Sequence, residues 1–188
     1  CDTPSPKVVL GRWTRGLQIG PNMDARGVKL YGSEFVGQDL RNARFDHCAL
    51  YGVRFSDCNL SHASFRGAIL VGASWDSCRI EKADFTDAVI NDTDDSLLAL
   101  TADQIMSTYS YKKRDLRNVW ISGMLSEKDN RPPQYDFRRV DLNGATFCAD
   151  DFTSSDFTDA SMYGATFSGS ILSFRSLASS VTFRRRDL

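Results

Sequence analysis

The sequence is short of most things on which catalysis is built. It has only two histidines in 188 residues, and its five cysteines include no C-x-x-C pair and no spacing that would hold zinc. Neither a metal cofactor nor a disulfide framework is expected. Long apolar runs are also missing: no stretch approaches the ~20 residues that span a bilayer, so no transmembrane segment is expected. Charge of one sign is missing too. The 23 Lys and Arg against 24 Asp and Glu leave a net charge of −1, which gives no global field to attract nucleic acid or an anionic membrane. The one basic run, Arg184-Arg185-Arg186, lacks a wider basic patch with interleaved aromatics and reads as a solvated tail. What the chain does have is 41% hydrophobic residues, enough for a core and too many for disorder.

Those hydrophobic residues are periodic. A large apolar residue stands at every fifth position from Leu30 to Ile90: Leu30, Phe35, Leu40, Phe45, Leu50, Phe55, Leu60, Phe65, Leu70, Trp75, Ile80, Phe85 and Ile90. Two positions before most of these centres is a small residue, such as Ser33, Ala43, Cys48, Cys58, Ala63, Ala73 or Cys78. A period of five matches neither the 3.6 of a helix nor the 2 of a strand, so the chain must turn every five residues. The large centre fills the interior, and the small residue lets the wall close over it. Corners fall two residues after each centre, where Gly32, Gly37, Gly52, Gly67 and Gly72 relieve the backbone.

The alphabet of these repeats, quoted in Ala43-Arg44-Phe45-Asp46-His47 and Ala83-Asp84-Phe85-Thr86-Asp87, resembles that of the pentapeptide-repeat family. The resemblance implies an all-β fold, a right-handed quadrilateral β-helix of about six coils interrupted by one short α-helix, with four repeats to each coil. Centres twenty residues apart then stack. Leu30/Leu50/Leu70/Ile90 and Leu40/Leu60/Ile80 line two opposite faces, and Phe35/Phe55/Trp75 and Phe45/Phe65/Phe85 line the other two. Coils are expected ~4.8 Å apart, joined by backbone hydrogen bonds.

A second block repeats the pattern at Phe137, Leu142, Phe147, Phe152, Phe157, Met162, Phe167, Leu172 and Leu177, out of phase with the first. Between the blocks, Thr101 heads a segment whose apolar residues at 102, 105, 106 and 109 share a helical face, which predicts a helix over 101–110. The phrase from Leu100 to Lys112 is similar to a helical insertion in a subset of bacterial members of the family. Arg114–Asn118 and Val119–Gly123 read as two further pentapeptides, and Ser126–Pro133 as a polar loop. The layout is thus a tether and cap over 1–27, a first block over 28–95, an insertion over 96–133, a second block over 134–183 and a basic tail over 184–188, all in one solenoid. The apolar residues of 7–27 and of Phe174–Phe183 are expected to cover the two open ends. A chain opening on Cys1 has the form of a bacterial lipoprotein after its signal peptide is removed, which would place a lipid anchor at Cys1 and the protein outside the cytoplasm or on a surface. An excised domain would instead be cytoplasmic.

Convergent chemistry is not apparent. His47 and His62 fall on corners of neighbouring sides, and Cys48, Cys58 and Cys78 occupy the small inward position, where a thiol acts as a small hydrophobe. Cys58 and Cys78 are one coil apart, and Cys148 is expected to face outward. Asp39 shares a column with Arg79, Arg41 with Glu81, and Asp46 stacks against Arg66, which predicts mixed-sign ladders on solvated faces. No enzyme, small-molecule substrate or cofactor is expected.

One face departs from this. The outward residues around Leu30/Leu50/Leu70/Ile90 are Tyr31, Tyr51 and Val71 on one side and Ala49, Ile69 and Val89 on the other, an apolar stripe that calls for a cover. The cover is either a docked protein or the insertion's own helix, laying Ile105, Met106 and Tyr109 across it, and the tethered helix is favoured. The function expected is a non-enzymatic structural or protein-binding module with an unidentified protein partner. The alternative is a DNA-mimicking, topoisomerase-binding protein of the fluoroquinolone-resistance type, on the strength of eleven acidic and seven basic residues over 28–95. Nucleic acid itself is not an expected partner.

Overall fold

The computed structural model describes residues 7–9, 17–92, 100–122, 134–148 and 151–182. Cys1, most of the tether, the loop 126–133 and the basic tail lie outside these residues. The elements are β1 (Lys7–Val9), β2 (Glu34–Val36), β3 (Arg54–Ser56), β4 (Ser74–Asp76), α1 (Ala102–Ser107), α2 (Tyr109–Lys112), β5 (Trp120–Ser122), β6 (Thr146–Cys148), β7 (Thr166–Ser168) and α3 (Phe174–Ala178).

Strands are this short because the backbone turns at each repeat. On three of the four sides of the first block the carbonyl of a centre accepts the N–H three residues on, as Leu40 does from Ala43 (3.0 Å) and Phe65 from Ala68 (3.0 Å). Every fifth residue from Asn22 to Asp92 has φ between 51° and 68°, the type II signature at the third turn position. Glycine takes that conformation freely, and Asn and Asp more readily than other residues. Lys82 (φ 58°) adopts it against its steric preference.

A side chain closes many of the same corners. Asp39 Oδ1 accepts the Arg41 backbone N–H (3.2 Å) and Nε (2.9 Å), while Oδ2 accepts Nη2 (2.6 Å). Asp24–Arg26, Asp115–Arg117 and Asp136–Arg138 repeat the arrangement, and Asp151–Thr153 and Asp156–Thr158 use the threonine N–H. Residues two apart on an extended segment point to the same side, so these partners meet without reaching across a coil.

Between coils the pairing is parallel and in register at twenty residues: Phe35↔Phe55↔Trp75 through β2, β3 and β4, and Lys29↔Ala49↔Ile69↔Val89 on the next face. Inside, Phe45, Phe65 and Phe85 stack at 5.0 Å intervals, and Phe35, Phe55 and Trp75 stack at 5.1 and 4.8 Å. The two columns meet edge to face, as in Phe65–Trp75 at 5.3 Å, the geometry that aromatic quadrupoles favour. Aliphatic centres fill the other two sides, all within one buried cluster.

The two blocks are out of phase in sequence but share columns in space. Asp92 N–H donates to Arg117 O, and Trp120 pairs with Thr146. Each offset exceeds its regular counterpart by six residues: Gly52 N–H reaches Val71 O, and Thr146 pairs with Thr166. The helical segment supplies the first surplus and the connection after β5 the second. Leu116, Leu142 and Met162 thereby continue the column of Leu30, Leu50, Leu70 and Ile90, and all are buried.

The helix is split, which the sequence did not indicate. Thr101 caps α1 through a capping box with Gln104, but Thr108 has extended backbone (φ −65°, ψ 155°) and becomes the cap of α2, its hydroxyl accepting from Tyr111 N–H. At the ends, β1 pairs antiparallel with β2, and α3 follows a cap at Ser173. Leu177 therefore belongs to α3 and is not a pentapeptide centre, since Ser173 starts a helix where the next corner would fall.

Three outcomes follow. Phe65→Ala, which opens a void between two stacked rings, lowers unfolding free energy by about 3–5 kcal/mol in urea titration. Lys82→Gly raises it by about 1 kcal/mol by relieving a left-handed residue. Hydrogen bonds from Arg26 hold Asp24 down to about 2, and those from Arg41, Arg117 and Arg138 likewise lower Asp39, Asp115 and Asp136. A carboxylate whose folded pKa is depressed contributes stability above its unfolded pKa near ~4 and loses it as pH falls through the folded value. Melting temperature should therefore drop as pH is lowered from about 4 to about 2, and Asp39→Asn should flatten that limb.

Candidate protein-interaction face

The stripe is present as one side wall. Tyr31 and Tyr51 are 47% and 42% exposed, with ring centroids 5.6 Å apart and planes tilted by 47°. Val71 extends their row, and Ala49, Ile69 and Val89, each half-buried, form the parallel row joined by the twenty-residue bridges. Gly32, Gly52 and Gly72 make up the corner column beside the tyrosines, so nothing projects there to shield the rings.

The insertion's helix does not cover this wall, contrary to expectation. α1 and α2 take the place of the next coil at the end of the first block. Gln104 Nε2 donates to Ala83 O (2.8 Å), Asp87 N–H to Ser107 O (3.0 Å), and Tyr109 N–H to Ala88 O (2.9 Å). Ile105 is fully buried, pointing into the core where it continues the interior. The reason is an unpaired edge: the last regular coil presents backbone groups that need partners, and the helical segment supplies them.

A consequence is that Tyr109 belongs to the stripe. Its N–H bonds Ala88 O as Val89 bonds Ala68 O and Ile69 bonds Cys48 O. Its ring is 45% exposed, with Lys113 Nζ 5.4 Å from the centroid. The signal was its place twenty residues after Val89, at the end of the series Ala49, Ile69, Val89. The row of Tyr31, Tyr51 and Val71 turns polar at Asn91, whose Nδ2 donates to Asp115 O (3.0 Å), and then at Arg117, paired with Asp115.

Elsewhere the surface is laced with ion pairs. They form within corners more than in vertical ladders: Asp39 pairs with Arg41, and Asp46 with Arg44 (3.3 Å) and the Ser64 hydroxyl, while Arg66 reaches Asp84 (3.0 Å). The expected Asp46–Arg66 stack is not formed. Vertical contacts do occur, as in Arg54–Glu34 (3.3 Å) and Ser61–Glu81 (2.7 Å). The His47 ring lies where a side chain on Gly67 would be, 2.5 Å from an added Cβ, so the bare corner makes room for it. Among the described residues no three His, Cys, Asp or Glu side chains gather as a metal site, and no helix is long and apolar enough to cross a membrane.

The thiols are differently placed. Burial pushes Cys48 up to about 11. Cys58, buried, donates to Phe35 O (3.2 Å), while Cys78, partly exposed, donates to Asp76 O (3.4 Å). Their proximity eases loss of the pair's first proton and opposes loss of the second. Cys148, on β6, is half-buried rather than freely outward.

Comparison with known families is consistent with this architecture. Residues 28–98 match the pentapeptide repeat region, and residues 136–173 match the pentapeptide repeats, together more than half of the chain. No curated protein matches. Among solved structures, a pentapeptide repeat protein of the Arabidopsis thaliana thylakoid lumen is 27% identical over 49% of this chain and 59% of its own, with a TM-score of 0.39. QnrB1, a plasmid-mediated fluoroquinolone resistance protein, is 18% identical over 89% and 86%, with a TM-score of 0.37. HetL, a pentapeptide repeat protein involved in heterocyst differentiation regulation in Nostoc sp. strain PCC 7120, is 20% identical over 79% and 76%, with a TM-score of 0.31. The chain thus spans less than two thirds of the thylakoid protein's length, and likenesses this distant assign no activity. With its five-residue period, stacked centres and left-handed corners, the chain belongs to the pentapeptide-repeat family.

Proposed function

We propose that the protein is a rigid, non-enzymatic binding module whose protein partner docks on the wall formed by Tyr31, Tyr51, Val71, Ala49, Ile69, Val89 and Tyr109. The observation that carries this reading is the contrast between faces. The wall runs over successive coils without an ion pair of its own, whereas the neighbouring faces carry paired carboxylates and guanidinium groups. Contiguous apolar surface with aromatic side chains and a polar margin is the composition of interface centres. A β-helix filled by its own side chains also holds the wall stiff, so binding costs little ordering. Tyrosine adds contact area with few rotatable bonds, and the paired rings of Tyr31 and Tyr51 are natural anchors.

The DNA-mimicking alternative finds no comparable support. Its acidic excess over 28–95 is offset locally, because Arg41, Arg44, Arg54 and Arg66 each sit against a carboxylate of the same surface. No effect of the purified protein on gyrase supercoiling at micromolar concentration is the expected result.

The docking reading is tested with a photo-crosslinking residue placed at position 31 or 51, and at position 41 or 82 as controls on other faces. Specific adducts are expected from the first pair alone, and the combined Tyr31→Ala and Tyr51→Ala substitution should abolish capture of the same partner while shifting stability by no more than about 0.5 kcal/mol per site. Identical adducts from all four positions would remove the wall from consideration.

A further inference from the structure

We infer that Cys58 and Cys78 form an oxidation site, a dithiol that a small-molecule disulfide converts to a covalent staple between adjacent coils.

The placement comes from the fold. Arg79 N–H donates to Cys58 O (2.9 Å) and Asn59 bridges Arg79, so Cys78 lies directly over Cys58. In-register neighbours are separated by the coil spacing of ~4.8 Å, within the ~4.4–6.8 Å between Cα atoms that a disulfide accepts. The partners are unequal in access, which gives them different roles. Cys78 is partly exposed and lines a surface cleft with Arg79, Glu81, Lys82 and Gln104. Cys58 is almost fully buried, at the floor of a second cleft lined by Gln38, Asp39, Arg41 and Arg79. Arg79 and Lys82 flank the entry sulfur beside Glu81, so the cleft offers an incoming disulfide cationic and anionic groups together.

The chemistry balances as two exchanges. Cys78, after giving its proton to solvent, attacks one sulfur of the reagent as the thiolate, breaks its S–S bond and expels one thiolate. Cys58 then loses its proton and attacks the Cys78 sulfur of the mixed disulfide, expelling the second. The two cysteines are oxidised by two electrons, and the reagent is reduced to two thiols that take up the two protons. Cys48, donating to Ala25 O (2.7 Å) in the core, has no thiol stacked on it and stays reduced.

The test treats the folded full chain with oxidised glutathione, alkylates the remaining thiols and maps peptides by mass spectrometry. The expected product joins the Cys58 and Cys78 peptides, carries no glutathione at either residue, melts about 5–10 °C higher and reverts with dithiothreitol. Cys58→Ser should instead retain glutathione on Cys78. The inference is overturned if the wild type keeps glutathione on Cys78, if both thiols remain open to alkylation, or if the cross-link forms only in denaturant.

Discussion

A backbone N–H on one coil donating to a carbonyl on the next is the interaction on which the rest of this structure depends, because it fixes what can stand above what. Once Leu50 N–H reaches Ile69 O and Phe45 N–H reaches Ser64 O, side chains twenty residues apart have no choice of neighbour. The aromatic columns, the apolar wall and the stacked thiols all inherit their geometry from that ladder. Its cost is a sharp turn every five residues, and the left-handed corners and Asp-x-Arg closures meet it. The ladder also explains the electrostatics: a corner that positions a carboxylate for its own N–H two residues on also positions it for that residue's guanidinium.

Much of this was legible from residue spacing alone. Period five cannot be housed in a helix or a long strand, so the corners and inward centres could be assigned from spacing, and the four repeats per coil implied by the family resemblance then set the aliphatic and aromatic columns. Thr101 announced its cap for the same local reason. What spacing could not convey was competition for an edge. Ile105, Met106 and Tyr109 share a helical face whether the helix lies along the wall or ends the stack, and only the unpaired carbonyls and N–H groups of the last coil decide between them. Charge pairing was misread for a related reason. Column arithmetic matched Asp46 with Arg66, whereas side chains two residues apart on one short segment find each other first.

The apolar wall and the thiol pair illustrate two uses of one scaffold. Inward positions tolerate only what fills or closes the interior, and there Cys58 and Cys78 stand in for alanine. Outward positions are free of that demand, so a run of Tyr, Val, Ile and Ala on one side has no explanation in the interior it surrounds. Within the described part of the first block Tyr31 and Tyr51 are the exposed large apolar side chains and Tyr109 joins them, while Tyr163, Ile171 and Phe174 are exposed further along the chain.

The paired six-residue surpluses, one in the helical segment and one after β5, have a bearing on how such a chain can change length. Each leaves the columns before and after it aligned, so Leu142 sits over Leu116 as Leu70 sits over Leu50. Material added in this way alters contour length and surface decoration without rotating anything downstream. Lineages of such proteins can therefore acquire or shed lateral features at a corner while every pre-existing side keeps its compass bearing, and a graft made at those two stations should leave the opposite walls undisturbed.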